Sequence, residues 1–132
     1  MQPEARFKKH LRESFETVMA SAPYYWLPLV ASMMQKAGIP DLWVADGKIG
    51  AWIETKVNGN GLSAIQALEQ RKMAMAGATV IVLHTHLGEP EETRRIDWSR
   101  FRRDGLGFDK SSHLYWQQAT TPQFWSFVIH GP

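Results

Sequence analysis

The sequence predicts an α/β (α+β) domain, a central mixed β-sheet flanked by helices, and three observations carry that expectation. A charged N-terminal stretch repeats its apolar residues at helical spacing. Two β-type runs meet across Asp46-Gly47, a strong type I′ hairpin signal. A helix-like segment then leads into another apolar, β-branched run. The order helix, hairpin, helix, strand packs as a sheet with helices laid on it. A chain of 132 residues can close one core, and 44% apolar residues with six tryptophans argue against disorder. No internal repeat or low-complexity linker divides it. A single domain over 1–132 is expected, with a core of about 1–86 and a C-terminal extension of about 87–132.

Residues 3–20 read as an amphipathic helix, because Phe7, Leu11, Phe15, Val18 and Met19 form one stripe. Glu4 falls on that stripe, whereas Glu13 and Glu16 project to the other side. Pro23 and Pro28 break any early continuation, and 29–36 can form a short helix ended by Gly38. Tyr24, Tyr25 and Trp26 suit base stacking, a dimer contact or, most commonly for such clusters, packing. Leu42 to Ala45 and Ile49 to Lys56 are the two hairpin strands. After the Asn58-Gly59-Asn60-Gly61 loop, Ser63 is placed as an N-cap, with Gln66 completing a capping box and Leu62 a staple. That helix runs to about Ala76 and Gly77 ends it. Thr79 to Leu83 is a third buried strand.

The tail is harder to read. Asp97 to Arg103 fits a short helix with Trp98 and Phe101 inward, and Gly105 and Gly107 make a loop. Leu114 to Trp116 fits an edge strand. Thr121-Pro122 fits an N-cap and first helical position for a helix through Phe124, Trp125, Phe127 and Val128. His84-x-His86 sets two imidazoles at a strand end, a pattern that zinc or base chemistry can use. With no third ligand nearby in the sequence, an exposed strand end is the favoured reading. His10, His113 and His130 have no motif around them.

Side chains alternate along a strand, so Glu54 and Lys56 share one face with Trp52 while Ile53 points to the other. A strand apolar on both faces is central, and acids and lysines are seldom buried unless paired or bound to metal. Folding the hairpin back brings Asp41 close to Glu54. Two adjacent carboxylates repel unless a cation neutralises them, and a divalent metal suits that role. The plainer reading has Asp41 capping a turn and Glu54 pairing with Lys56 on a solvated face. It is the commoner outcome for any one of these residues, but the combination favours the metal.

Asp41, followed after a hairpin by Glu54-Thr55-Lys56, resembles the PD-(D/E)XK nuclease superfamily. The Gly38-Ile39-Pro40-Asp41 form, with Leu62-Ser63-x-x-Gln66 downstream, is similar to its virus-type replication-repair (VRR-NUC) branch, which includes small phage Holliday junction resolvases. The resemblance covers roughly residues 1–84. It implies a restriction-endonuclease-like sheet and a metal-dependent DNA endonuclease that hydrolyses phosphodiester bonds in branched DNA. Mg²⁺ (or Mn²⁺) would be held by Asp41, Glu54, the Thr55 carbonyl and an acid from the first helix. Many relatives carry an aliphatic residue where this chain has Thr55, a minor departure because that position offers only its carbonyl. Helix phase selects Glu4 as the helical acid, although a first-turn glutamate also favours the helix dipole. Lys56 would hold the attacking water and offset phosphate charge, and Gln66 would position the water or the phosphate. Cutting two strands of a symmetric junction implies a homodimer.

The formal charge of +2 is modest, so its distribution matters more. Arg94, Arg95, Arg100, Arg102 and Arg103 are the candidate nucleic-acid contacts, because neutralising phosphates needs clustered cations. For any one of them a solvated charged face is the commoner role. The chain has no cysteine, which excludes disulfides and thiolate metal sites. No signal peptide is visible, and prolines and polar residues in the uncharged stretch 17–35 argue against a membrane span. A cytoplasmic location in a phage or bacterial host cell is expected, with no membrane partner. Two other functions stay open. A homing- or restriction-type enzyme would cut specific sites, but no separate recognition domain is evident. A non-catalytic nucleic-acid-binding protein has no need for paired acids beside a lysine.

Overall fold

Alternation along the central run builds the sheet. In β3 (Gly50–Val57), Ala51, Ile53 and Val57 turn into one buried layer while Trp52, Glu54 and Lys56 face the other. A computed structural model describes residues 2–29 and 36–132. It shows six strands in sequence order: β1 (Tyr25–Pro28), β2 (Leu42–Ala45), β3, β4 (Val80–Thr85), β5 (Arg95–Phe101) and β6 (Phe108–Tyr115). Only β3 and β4 run parallel, joined by the crossover helix α2 (Ala64–Met75); the other neighbours are antiparallel. The fold is therefore a mixed sheet flanked by helices, as the sequence predicts.

The N-terminal helix α1 (Pro3–Val18) buries Phe7, Leu11 and Phe15 on one sheet face. There it meets α3 (Pro122–His130), whose Trp125 lies edge-on to Phe15 at 4.9 Å. Each buried side chain of this size contributes about 1.5–3 kcal/mol, so this layer is the larger core. The opposite face is covered by α2 and has a smaller core of Ala74, Val80, Val82 and Phe101. The capping box of α2 forms as expected: Ser63 Oγ accepts from the Gln66 amide and Gln66 Oε1 from the Ser63 amide. Thr121 caps α3, with Pro122 at its first position.

Several expectations change. Beyond the Ala45–Gly50 pair the Asp46 amide donates to the Ile49 carbonyl at 3.3 Å, so the turn residues are Gly47 and Lys48 rather than Asp46 and Gly47. Asp46 Oδ1 accepts from the amides of Lys48 and Ile49, which stabilises the turn. The segment expected as a helix from Asp97 to Arg103 is instead β5 and the residues after it. Trp98 and Phe101 are both buried, but they face opposite layers, as residues an odd number apart on a strand must. The edge strand β6 begins at Phe108 rather than Leu114, and Trp116 opens a 3₁₀ helix (Trp116–Thr120). Tyr25 lies on an edge strand, and most of the helix expected at 29–36 lies outside the described residues. Phe124 and Trp125 are buried in the core. Residues beyond 86 supply β5, β6 and α3, whose Ile96, Trp98 and Val128 join Phe7 and Ile53 in the same cluster.

Candidate active site

The hairpin register places the acids. Leu42 is the last residue of β2 to pair with β3, opposite Ile53. Asp41 therefore stands against Glu54 one step beyond the ladder. Past this point Glu54 to Val57 pair only with β4. The sheet opens into a notch there, so groups from both helical layers can reach the same place. Glu4 arrives from α1, and carboxylate oxygens of Glu4, Asp41 and Glu54 all lie within 4.8 Å of one another. Gly38 makes the approach possible. Its φ is +88°, and a Cβ there would sit 2.6 Å from the Ile65 carbonyl of α2. A side chain would push the Pro40-Asp41 segment away from the helix.

Glu54 is only 2% exposed, and it is held from the α2 side. Its Oε1 accepts from Gln70 Nε2 at 2.9 Å and from Gln66 Nε2 at 3.4 Å. Gln66 thus serves the capping box and the site together. Burial, followed by the charge of Asp41, raises the Glu54 pKa to about 8, against the Gln70 hydrogen bond and the charge of Lys56. On the other side, Lys8 Nζ lies 2.8 Å from Asp41 Oδ2, which also accepts from the Thr55 hydroxyl at 3.2 Å. Burial disfavours the Lys8 charge, but Asp41, then Glu4 and Glu54, more than offset this and raise its pKa. Lys8 and Gln70 were not legible as site residues in isolation. Each stands one helical turn from a residue that was, at i+4 from Glu4 and from Gln66.

Two observations show that the acids suit a divalent cation. Asp41 Oδ1 is buried with no hydrogen-bond partner, a cost that a coordinated ion removes. Glu54 is pushed toward its protonated form by burial and then by the charge of Asp41, and a cation between the two acids opposes both. The donors are all oxygen, the set that hard ions such as Mg²⁺ and Mn²⁺ prefer. Lys56 is half-buried two residues beyond Glu54 on the same face, with no ion pair among the described residues.

The five arginines do not act as one surface. Arg94 is 3% exposed; its guanidinium donates to the carbonyls of Leu87 and Glu89 and covers the Trp116 ring at 4.6 Å. It is a packing residue, which corrects its place among the phosphate contacts. Arg95 is exposed at the start of β5. Arg100 and Arg102 pair with Asp109 and Asp104 at 3.1 and 2.6 Å, and with Arg103 they line a surface cavity of about 600 Å³. Arg100 stands opposite Ile81, whereas Lys56 stands opposite His84. Glu54 stands opposite Val82, the next residue of β4, and Ile81 and Val82 face opposite layers, so Arg100 leaves the sheet two strands away and on the other face from Glu54.

The fold and site define a mixed α/β domain with a carboxylate cluster around buried Glu54 and a lysine at a notch in its sheet. Among solved structures the chain is similar to Hjc, a Holliday junction resolvase from the archaeal hyperthermophile Archaeoglobus fulgidus. Identity is 19%, the match covers 82% of this chain and 85% of that one, and the TM-score is 0.48. No family model and no curated protein matches the sequence. Among the described residues no helix is long and apolar enough to cross a membrane.

Proposed function

We propose that this chain is a metal-dependent endodeoxyribonuclease of the PD-(D/E)XK type, close to its VRR-NUC branch, which hydrolyses phosphodiester bonds in branched DNA. One observation carries the reading: buried Glu54 is held against Asp41 and Glu4, with Lys56 next on the same strand face. Asp41, Glu54, Glu4 and the Thr55 carbonyl would hold Mg²⁺ or Mn²⁺. When bound, such an ion supplies Lewis-acid polarisation of a phosphoryl oxygen and acidifies water. Lys56 donates to the attacking water and to the phosphate oxygens, where negative charge grows. Gln66 holds Glu54 through one amide proton and has a second for water or phosphate. Lys8 fixes the rotamer of Asp41.

Arg95, Arg100, Arg102 and Arg103 would contact the phosphate backbone beyond the reacting bond. Symmetric cutting needs two sites, so the active species would be a homodimer. Tyr24 and Tyr25, 41% and 55% exposed at the edge strand β1, would supply that contact. The test is a cleavage assay in Mg²⁺ or Mn²⁺ on duplex, flap, fork and four-way junction DNA. Preferential paired cuts in the junction are expected. Failure to cut any of them, at concentrations that bind DNA, would remove the nuclease reading. Cuts in duplex at one fixed sequence would point to a site-specific enzyme.

A further inference from the structure

A second group of metal-competent side chains lies one strand from Lys56, and the proposed chemistry does not use it. His84 of β4 pairs in register with Asp97 of β5, so both side chains leave the same sheet face. His86 follows at the strand end. Ligand atoms of His84, His86 and Asp97 all lie within 4.8 Å of one another. The geometry points to a transition-metal site at His84, His86 and Asp97, taking Zn²⁺ or a similar borderline dication and leaving coordination positions open.

Three features support it. First, the His84 ring is already oriented: its Nε2–H donates to the Asn58 carbonyl, which leaves the Nδ1 lone pair directed at the cluster. A metal-binding histidine is commonly fixed this way, by a carbonyl on its other nitrogen. Asn58 is itself held firmly. Its φ is +56°, its amide donates to the Thr85 carbonyl and its side chain accepts from the Leu87 amide. Second, His84 Nδ1 lies 3.8 Å from Asp97 Oδ2, too far for a hydrogen bond. Two ligands on one tetrahedral zinc lie about 3.3 Å apart, so a small side-chain adjustment suffices. Third, the His84 and His86 rings meet edge to face at 4.6 Å, and His86 is exposed, so its ring can turn toward the same point. Two imidazoles and one carboxylate select zinc, cobalt or nickel over magnesium.

With three protein ligands the ion keeps room for water or an anion, unlike a closed structural site. Asp97 and Ser99 on β5 and Lys110 on β6 border the same shallow cavity as His84. An anion bound there would face the surface that carries Lys56, which stands opposite His84. The site itself does not depend on the nuclease reading.

The test is titration of the full chain with Zn²⁺ by calorimetry and with Co²⁺ by visible absorption. One equivalent should bind and give the d–d bands of a nitrogen–oxygen site. His84→Ala, His86→Ala and Asp97→Asn should each weaken binding about tenfold or more. Glu54→Gln should leave it unchanged, although it removes the proposed Mg²⁺ site. The His86 side chain is exposed and makes no hydrogen bond among the described residues, and its backbone bond to Glu89 survives substitution, so its variant reports on binding even if the others disturb folding. Zinc affinity unaltered in His86→Ala, or lost in Glu54→Gln while the histidine variants bind normally, would overturn the assignment.

Discussion

The carboxylate cluster at Glu4, Asp41 and Glu54 and the histidine cluster at His84, His86 and Asp97 sit on adjoining strands of one sheet. Their surroundings differ in nearly every respect. The acids lie in the notch left where β2 stops pairing, enclosed by α1 and α2, and their charges are managed by Lys8, Gln66 and Gln70. The histidine cluster opens to solvent beside the edge strand and relies on one carbonyl contact for orientation. Burial makes the first site costly and strongly perturbed; exposure leaves the second inexpensive and adaptable. Neighbouring strand positions thus present different donor sets, because the donor atoms and the depth of water exclusion are set separately.

The largest expected effect separates the two by activity. Asp41→Asn, Glu54→Gln and Lys56→Ala should each reduce single-turnover cleavage of junction DNA by at least about a hundredfold, with DNA binding largely retained. His86→Ala should stay within a fewfold of the parent. Full activity in any of the first three would remove that residue from the chemistry.

Stability should divide in the same way. Gln70→Ala removes the closest donor to Glu54 and leaves a buried carboxyl poorly satisfied, which should cost about 1–3 kcal/mol in urea unfolding. His86→Ala should change stability by less than about 0.5 kcal/mol. Equal effects would mean that Glu54 is less enclosed than the structure shows.

Acidity offers a finer comparison. Folded Glu54 keeps its proton up to about pH 8, whereas its ordinary value is 4.5. Between these values the folded state binds more protons than the unfolded state, so raising pH destabilises the metal-free protein. The slope is at most about 1.4 kcal/mol per pH unit. The melting temperature should fall from pH 5 to pH 8, Mg²⁺ or Mn²⁺ should restore more of it at pH 8 than at pH 6, and Glu54→Gln should flatten the profile. A profile unchanged in Glu54→Gln would assign the slope to another group.

The smallest effect concerns DNA contact away from both clusters. Neutralising Arg100, Arg102 and Arg103 together should weaken binding on every DNA, each lost phosphate contact reducing the slope of log affinity against log salt by about one. Arg94→Ala should instead lower stability, by about 1.5–3 kcal/mol, through its lost carbonyl contacts. An unchanged salt slope in the triple variant would place DNA on another surface, such as one built from Lys8, Lys9, Arg71 and Lys72.

Local signals determined much of this protein before any packing was known. The α1 stripe, the capping box at Ser63 and Gln66, the Thr121-Pro122 start of α3 and the β-character of 42–57 depend on residues within a few positions of each other. Short-range spacing reports such features directly. The proximity of Asp41 to Glu54 was legible for the same reason, since a hairpin is itself a local structure. What only the tertiary structure decided involves partners far apart in the chain. Asp97 reaches His84 because β5 pairs with β4, and a segment whose Trp98 and Phe101 also fit a helical stripe gave no sign of that pairing. Arg94 looks like one of a basic cluster until Trp116 and the Leu87 and Glu89 carbonyls enclose it. Lys8 and Gln70 become site residues only when two helices from opposite sheet faces converge on the notch. Burial and strand partnership are properties of the assembled sheet, and no window of neighbouring residues contains them.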